Sequence, residues 1–227
     1  MWYAKNTYGY TRDSVEAIAN GQEVLSVLTA KGWTVNAISA FWGNVGFEGG
    51  YNPWRWEGDV VVASTDTTSI DDADRIHGYG LVQFTPPKKY LWSQLAQADT
   101  DFSPHYSDIV GNPHDGASQC RFISDYAGTT GDYFINPYYN FPLTYSDFKT
   151  STQTPEYLAA CWLHNYERPA DQSTSVEVVR GREARYWYDL WGGTPPTPTQ
   201  SHKWKYWLYL RRRWKEYIWQ SEPKKKF

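Results

Sequence analysis

The sequence has little of what marks several large protein classes. It has two cysteines in 227 residues, Cys120 and Cys161, and a chain of this length needs no disulfide to hold a core, so we expect buried free thiols. It has no apolar run of the roughly 18 residues that cross a membrane. Residues 1–10 also lack the charged-then-apolar pattern of an export signal. We therefore expect a soluble protein without a signal peptide.

Motifs for metal and nucleotide chemistry are also missing. The five histidines form no His-Glu-x-x-His sequence and pair with no cysteines at zinc-binding spacing. No glycine-rich loop ends in Gly-Lys-Ser or Gly-Lys-Thr, so nucleotide hydrolysis is not supported. We expect a function that needs no metal, organic cofactor or nucleotide.

Aromatic residues are abundant, at 18% of the chain with 13 Trp and 19 Tyr. Flat rings with polar edges suit carbohydrate faces and wet interfaces, although an aromatic-rich core would need them equally. Charge is divided unevenly, because residues 202–227 carry a net charge of +7 and residues 1–201 a net charge of −10.

The domain organisation follows from one Pro/Gly segment. Residues 192–201 read GGTPPTPTQS, which cannot extend a helix and therefore predicts a linker. We expect one folded domain over residues 1–191 and a basic, amphipathic helical extension over residues 202–227. We expect this extension to bind a protein partner. Its alternatives are the acidic body of the same chain, an anionic polymer or membrane surface, and, least favoured, nucleic acid.

Helical periodicity dominates the first 191 residues. Asn20 and Glu23 resemble a capping box that opens a helix ending at Gly32. Apolar spacing predicts further helices over residues 34–47, 86–98, 114–126, 155–166 and 176–191, with Thr154 as the cap and Pro155 in the first position of the fourth of these. Residues 51–84 lose this periodicity and predict a small β or loop lobe. The expected fold class is mainly α, with an α+β character.

Glu48 is the first candidate for chemistry. It lies at a predicted helix C-terminus, where the macrodipole disfavours an ionised carboxylate, and it is flanked by Phe47, Tyr51, Trp54 and Trp56. Apolar surroundings keep a carboxyl group protonated near neutrality, as a general acid requires. Glycoside cleavage also uses a second carboxylate, for which Glu57 and Asp59 lie nearby. On spacing alone, solvated loop carboxylates are the favoured interpretation of all three acids.

Three sequence blocks carry a family resemblance. They are GNVGFEGGYNPWRWEG, HGYGLVQFTPPKKY and YLAACWLHNYERPAD. In this order and approximate spacing they resemble the active-site segments of the phage tail lysozyme family, over about residues 20–191. There are two departures: Gly49 follows the acid where the family usually has Ser, and residues 59–76 form a longer insertion than the family pattern has.

The resemblance implies a lysozyme-like fold with a glycan groove and Glu48 as the acid that protonates the bond between N-acetylmuramic acid and N-acetylglucosamine. The more distant goose-type lysozymes and soluble lytic transglycosylases have a similar Gly-x-x-Gln turn and Ala-Tyr-Asn helix. These correspond to residues 80–83 and to Asn165-Tyr166. The comparison implies that Gln83 and Tyr166 line the groove. Amide and phenol groups suit contacts with sugar hydroxyl and acetamido groups.

The remaining site residues are assigned by chemistry within these blocks. We favour Asp59 over Glu57 as the second carboxylate, because Glu57 adjoins Trp56 and could orient the loop instead. Trp56, Tyr79 and Asn165 are further candidates for sugar contacts. Glu167, a third acid, stands next to Arg168, with which we expect a structural ion pair.

The predicted function is a phage muramidase that acts on peptidoglycan glycan strands. The basic extension favours a virion tail protein that acts on the host wall during genome delivery and contacts other tail proteins through residues 202–227. A lytic transglycosylase, a holin-released endolysin that passes from host cytoplasm to periplasm, and a non-catalytic glycan-binding tail protein remain alternatives.

Overall fold

The computed structural model describes residues 2–3, 9–55, 78–85 and 115–192. The chain divides into two units, Met1–Gly193 and Thr194–Phe227, and the second lies outside the described residues. The predicted C-terminal helix, the predicted helix over residues 86–98 and most of the predicted β or loop lobe also lie outside them. Within the described ranges the protein is mainly helical, as the sequence predicted.

Four of the described helices begin at a side-chain cap. The described helices are α1 (Val15–Ala30), α2 (Val35–Glu48), α3 (Asp115–Tyr126), α4 (Tyr145–Thr150), α5 (Pro155–Trp162), a π-helical turn (Leu163–Glu167) and α6 (Thr174–Leu190). Side-chain oxygens of Ser14, Thr34, Thr144 and Thr154 accept a hydrogen bond from the backbone N–H three residues on, which satisfies a donor that the helix leaves unpaired. None of these helices is long and apolar enough to cross a bilayer.

The start of α1 corrects one prediction. Asn20 is not a helix cap but lies inside α1 with no exposed surface. Its side-chain amide donates to the carbonyl oxygens of Tyr3 and Tyr51, at 2.6 and 2.8 Å. The polar residue therefore fastens two loop segments to the helix, and the true N-cap is Ser14, six residues earlier in the chain.

The core lies where α2, α5 and α6 pack against one another. Every residue from Asn36 to Val45 of α2 is buried. Much of the aromatic content belongs to this core. The rings of Phe41 and Trp162 meet edge-to-face at 5.3 Å, and Trp42 and Trp187 meet similarly at 6.0 Å.

Both cysteines are buried thiols that form no disulfide, as predicted. The thiol of Cys161 lies 3.1 Å from the hydroxyl of Tyr133. Burial raises the pKa of this thiol to about 12. It is a packed core group rather than an available nucleophile.

Two irregular backbone segments contain residues that the sequence predicted to contact a ligand. Helix α5 follows the prediction from Pro155 onward but changes at Leu163 to a π-helical turn, which ends when Arg168 takes a left-handed conformation with φ of 47°. Residues 78–85 form a tight turn closed by an antiparallel bridge between Tyr79 and Phe84. These two irregular segments carry the sequence blocks that contain Tyr166 and Gln83.

Candidate active site

The turn at residues 78–85 is fastened to the protein by a glutamine of α3. The Gln119 side chain accepts from the backbone N–H of Leu81 at 2.8 Å and donates to the carbonyl oxygen of Pro53 at 2.7 Å. The backbone N–H of Gly80 also donates to the carbonyl oxygen of Arg55 at 2.8 Å. These bonds hold the turn beside the segment that follows α2, and so beside Glu48.

A cavity of about 470 Å³ opens at this junction. Its described lining residues are Phe47, Glu48, Arg55, Val82, Gln83, Phe84, Thr85, Asp132, Tyr166, Glu167 and Arg168. Three residues predicted from separate blocks, Glu48, Gln83 and Tyr166, therefore share one cavity. Its volume falls in the range typical of small-molecule and ligand-segment sites.

Glu48 is held by an arginine that the sequence reading did not identify. Nη2 of Arg180, on α6, donates to Oε1 of Glu48 at 2.5 Å. Nη1 of the same guanidinium donates to Oδ1 of Asn44 at 2.9 Å, and Asn44 lies one helical turn before Glu48 with no exposed surface. The Arg180 side chain is 6% exposed and that of Glu48 is 22% exposed. A buried cation thus fixes one carboxyl oxygen of Glu48, while part of the side chain reaches solvent.

The surroundings of Glu48 differ from the expected ring of aromatic residues. Phe47 does line the cavity, and the guanidinium of Arg180 lies 5.1 Å from the centre of its ring. Tyr51 instead packs into the helical core, where its hydroxyl donates to Glu183 at 2.5 Å and accepts from the Trp187 indole at 3.1 Å. The reason is that the chain reverses at Gly49 and Gly50, which carries Tyr51 back towards α6. In the described residues, the immediate neighbour of the Glu48 carboxyl group is a cation.

Glu167 also differs from its prediction. The expected ion pair with Arg168 is replaced, because Arg168 donates to the carbonyl oxygens of Asp132 and Asn165, at 2.7 and 2.8 Å. Glu167 accepts instead from the indole N–H of Trp162 at 2.7 Å. The π-helical turn causes this placement, since it brings the fifth residue after Trp162 within hydrogen-bond reach of the indole N–H.

Burial and neighbouring charges raise the pKa values of two side chains on the π-helical turn. Burial, followed by the negative charge of Glu48, raises the pKa of Glu167, and these effects outweigh the opposing influence of Arg180, the Trp162 hydrogen bond and Arg168. Burial, followed by Glu167, also raises the pKa of Tyr166 well above its usual value. The Tyr166 ring stacks on Trp162 with centroids 4.3 Å apart. Tyr166 is therefore a neutral phenol held rigidly at the cavity wall.

Gln83 presents only part of its amide to a ligand. It has a φ of 49°, and its Nε2 donates to the carbonyl oxygen of Gly80 at 2.8 Å. The turn thus folds the side chain back on its own backbone. Its Oε1 accepts no hydrogen bond from any described residue, and this is the atom left to accept a donor from a ligand.

The other predicted sugar contacts are placed elsewhere or lie outside the described residues. Asn165 has no exposed surface; its amide donates to Phe141 and accepts from the backbone of Asn136, each at 3.0 Å. Tyr79 is likewise fully buried and does not line the cavity. Trp56, Glu57 and Asp59 are not described. Across the parts of the chain that the structure describes, no three His, Cys, Asp or Glu side chains are grouped to hold a metal ion.

Comparison with known proteins indicates a family and gives a curated relative. Residues 19–191 match the family model of phage tail lysozymes. The chain is also similar to morphogenesis protein 1 of Bacillus phage B103, with 30% identity over 201 residues that cover 88% of this chain and 46% of that protein. The chain therefore spans about half the length of this relative. The family match includes every described residue that lines the cavity.

Proposed function

The chain belongs to the phage tail lysozyme family, and on that premise we propose that it is a phage muramidase in which Glu48 is the general acid. Its described residues form the mainly helical, lysozyme-like body that this family implies. In the proposed reaction, Glu48 protonates the oxygen that links N-acetylmuramic acid to N-acetylglucosamine, as the bond breaks through an oxocarbenium-like state.

The observation that carries this proposal is the arrangement of the Glu48 carboxyl group. A guanidinium group can only donate hydrogen bonds, so Oε1, which faces Arg180, serves as an acceptor. Oε2 makes no hydrogen bond with any described residue, and it is the oxygen that would carry the transferable proton. A carboxyl group fixed on one side and open on the other, in a cavity shared with Gln83 and Tyr166, suits directed proton donation.

The other roles follow from the polar atoms that remain. Oε1 of Gln83 would accept from an acetamido N–H or a sugar hydroxyl, and the Tyr166 phenol would donate to the glycan from its stacked position. We retain Asp59 as the proposed second carboxylate, which supports the attacking water or the developing cation, with Glu57 as the less favoured choice. No step in this scheme requires a metal or an organic cofactor.

We also propose that the protein is part of the virion tail and acts on the host cell wall. The family description and the name of the phage B103 relative support a role in phage structure and assembly. Residues 202–227, with nine basic and two acidic side chains, are the proposed contact with other tail proteins. Detection of the protein in purified particles would support this location, whereas its absence there together with release at lysis would identify an endolysin.

Product analysis tests the reaction class. Purified peptidoglycan is digested with the full chain, and the soluble fragments are analysed by mass spectrometry. Muramic acid fragments with reducing ends support hydrolysis, whereas 1,6-anhydro ends would identify a lytic transglycosylase. Peptidoglycan that is bound but not cleaved would identify a glycan-binding structural protein and overturn the proposal.

A further inference from the structure

The guanidinium group of Arg168 is held at the cavity wall by contacts that do not neutralise its charge. Its Nη1 donates to the backbone carbonyl oxygens of Asp132 and Asn165, at 2.7 and 2.8 Å. Its Cζ lies 4.4 Å from the centre of the Phe134 ring, and the Phe134 backbone N–H donates to the same Asn165 carbonyl oxygen at 3.1 Å. These contacts orient the guanidinium plane. Within the described ranges, no carboxylate forms an ion pair with it.

One edge of this guanidinium is available to a ligand. The two carbonyl oxygens occupy Nη1, whereas Nε and Nη2 donate to no described residue and are accessible to solvent. Nε and Nη2 together form an edge that can receive both oxygens of a carboxylate in a bidentate pair. A fixed arginine with this edge open is therefore suited to bind a carboxylate.

The two neighbouring acids leave positive charge at this part of the wall. The Asp132 carboxylate accepts from the Thr130 hydroxyl at 2.7 Å, while the backbone carbonyl of Asp132 faces Arg168. Burial, followed by the charge of Glu48, raises the pKa of Glu167. Near neutral pH the Glu167 carboxyl group therefore carries less negative charge than an ordinary glutamate.

The backbone of Arg168 is in an unfavourable conformation. Its φ of 47° is left-handed, which is uncommon for residues other than glycine, asparagine and aspartate. Arg168 directly follows the π-helical turn, whose Tyr166 and Glu167 also line the cavity. Such conformations are concentrated at active sites and ligand-binding sites. The conformation thus gives further support for a ligand contact at this position.

The proposed substrate carries a matching group. In a peptidoglycan strand, only N-acetylmuramic acid has a lactyl substituent, which ends in a carboxylate or continues into a stem peptide that contains carboxylates. Cleavage of the bond from muramic acid to glucosamine places muramic acid on one side of Glu48, in the cavity that Arg168 also lines. On the basis of the muramidase function above, we propose that Arg168 binds this carboxylate substituent and thereby selects N-acetylmuramic acid over N-acetylglucosamine.

Binding of matched glycan fragments tests this contact without relying on cleavage. Isothermal titration calorimetry compares the full chain carrying Glu48→Gln with the same chain carrying Arg168→Gln as well. The probes are a GlcNAc–MurNAc tetrasaccharide with free lactyl carboxylates, the same tetrasaccharide with stem peptides, and a tetramer of N-acetylglucosamine. We expect Arg168→Gln to weaken binding of a carboxylate-bearing probe by about tenfold to a hundredfold, and to leave binding of the neutral tetramer unchanged.

The two acidic probes distinguish the sources of the carboxylate. A loss with only the free lactyl probe identifies the lactyl group, and a loss with only the peptide-bearing probe identifies the stem peptide. A loss with both, but not with the neutral tetramer, identifies a site that accepts either carboxylate. Equal weakening with all three probes would indicate a structural role for Arg168 and overturn the proposal, as would unchanged binding of all three.

A chemical change in the ligand keeps the proposal testable if Arg168→Gln does not fold. Converting the carboxylates of both acidic probes to amides removes their negative charge without altering the protein. The Glu48→Gln chain should bind the amidated probes about tenfold or more weakly than the carboxylates. Equal affinity for the carboxylate and amide forms of both probes would overturn the proposal.

Arg185→Gln is the matched control. Arg185 also lies over an aromatic ring, 5.1 Å from the centre of Tyr188, but it is paired with Glu156 outside the cavity. Its variant should bind every probe as the parent chain does, and a loss equal to that of Arg168→Gln would contradict a specific contact.

The release of reducing ends from peptidoglycan separates this inference from the proposed function. If the wild type releases reducing ends while Arg168→Gln binds all probes normally, the carboxylate contact fails and the proposed function stands. If the wild type releases none, the proposed function itself fails.

Discussion

A Cβ atom on Gly49 would lie 2.5 Å from the carbonyl oxygen of Leu81 and 2.7 Å from that of Gly80. Such contacts are closer than a side chain tolerates, so residue 49 must lack one if the end of α2 is to meet the turn that carries Gln83. Gly49, which the resemblance marked as a departure from the family pattern, allows a close approach of two backbones that brings Glu48 and Gln83 into one cavity.

Gly49→Ala should therefore damage both stability and activity. The added methyl group meets backbone oxygens rather than flexible side chains, so the turn has to move away. We expect a loss of about 1–3 kcal/mol in the free energy of unfolding, measured by urea denaturation, together with slower peptidoglycan cleavage. Gly49→Ser should behave in the same way. Wild-type stability and activity in both variants would show that the two backbones do not meet as described.

Arg180→Lys tests the guanidinium that holds Glu48. A lysine ammonium cannot reproduce the planar fork that joins Asn44 to Glu48. We expect cleavage to fall by about tenfold to a hundredfold through misplacement of the acid, in a protein whose circular dichroism is unchanged. The matched control is Arg185→Lys, which alters the half-exposed pair with Glu156 and should leave the rate unchanged. Equal rates in the two variants would contradict a positioning role for Arg180.

The raised pKa of Glu167 also predicts how stability depends on pH. The folded state holds this proton more tightly than the unfolded chain, in which a glutamate titrates near about 4.3. The resulting stabilisation is complete below that pH and is lost as the pH rises through the higher folded-state pKa. Urea denaturation between pH 4 and 9 should show wild-type stability falling relative to Glu167→Gln as the pH rises. A constant difference, or one of opposite sign, would contradict the perturbed titration.

The sequence predicted candidate residues only where they lie within contiguous motifs, and the structure places three of these, Glu48, Gln83 and Tyr166, in one cavity. Glu48 and Gln83 stand in blocks with distinctive neighbours, and the end of α2 followed directly from apolar spacing. Asp59, Glu57 and Trp56 lie outside the described residues and remain predictions. What the motifs could not supply is the partner of each acid, since Arg180 is 132 residues from Glu48 along the chain.

A signal for Arg180 was nevertheless present in the sequence. It shares a face of α6 with Ala184 and Trp187, both fully buried, so a charged residue occupies an otherwise apolar stripe. Such a residue needs a buried anion, and Asn44 and Glu48, four residues apart on α2, supply an amide oxygen and a carboxylate. The π-helical turn had no comparable signal, because the pattern of α5 continues smoothly to Tyr166. A π-helical turn contains one residue more than an α-helical turn. Here that turn accompanies the contacts of Tyr166 and Glu167 with Trp162.

For Asn165 the sequence motif suggested a ligand contact, but the structure shows a buried side chain that hydrogen-bonds to Phe141 and Asn136. Asn165→Ala removes hydrogen bonds to Phe141 and Asn136 and should lower the free energy of unfolding by about 1–3 kcal/mol. Below its melting temperature the variant should keep the wild-type KM. A raised KM with unaltered stability would instead support the direct sugar contact that the motif suggested.

The most direct measurement of the central claim is the rate at which Glu48→Gln releases reducing ends from purified peptidoglycan, compared with Glu156→Gln. Glutamine keeps an oxygen that can accept from Arg180 but has no proton for the leaving sugar. Loss of a general acid typically lowers the rate by about 10²–10⁴-fold. We predict such a loss for Glu48→Gln, with its binding to insoluble peptidoglycan retained, and a wild-type rate for Glu156→Gln. Equal rates in the two variants would contradict the assignment of Glu48 as the acid.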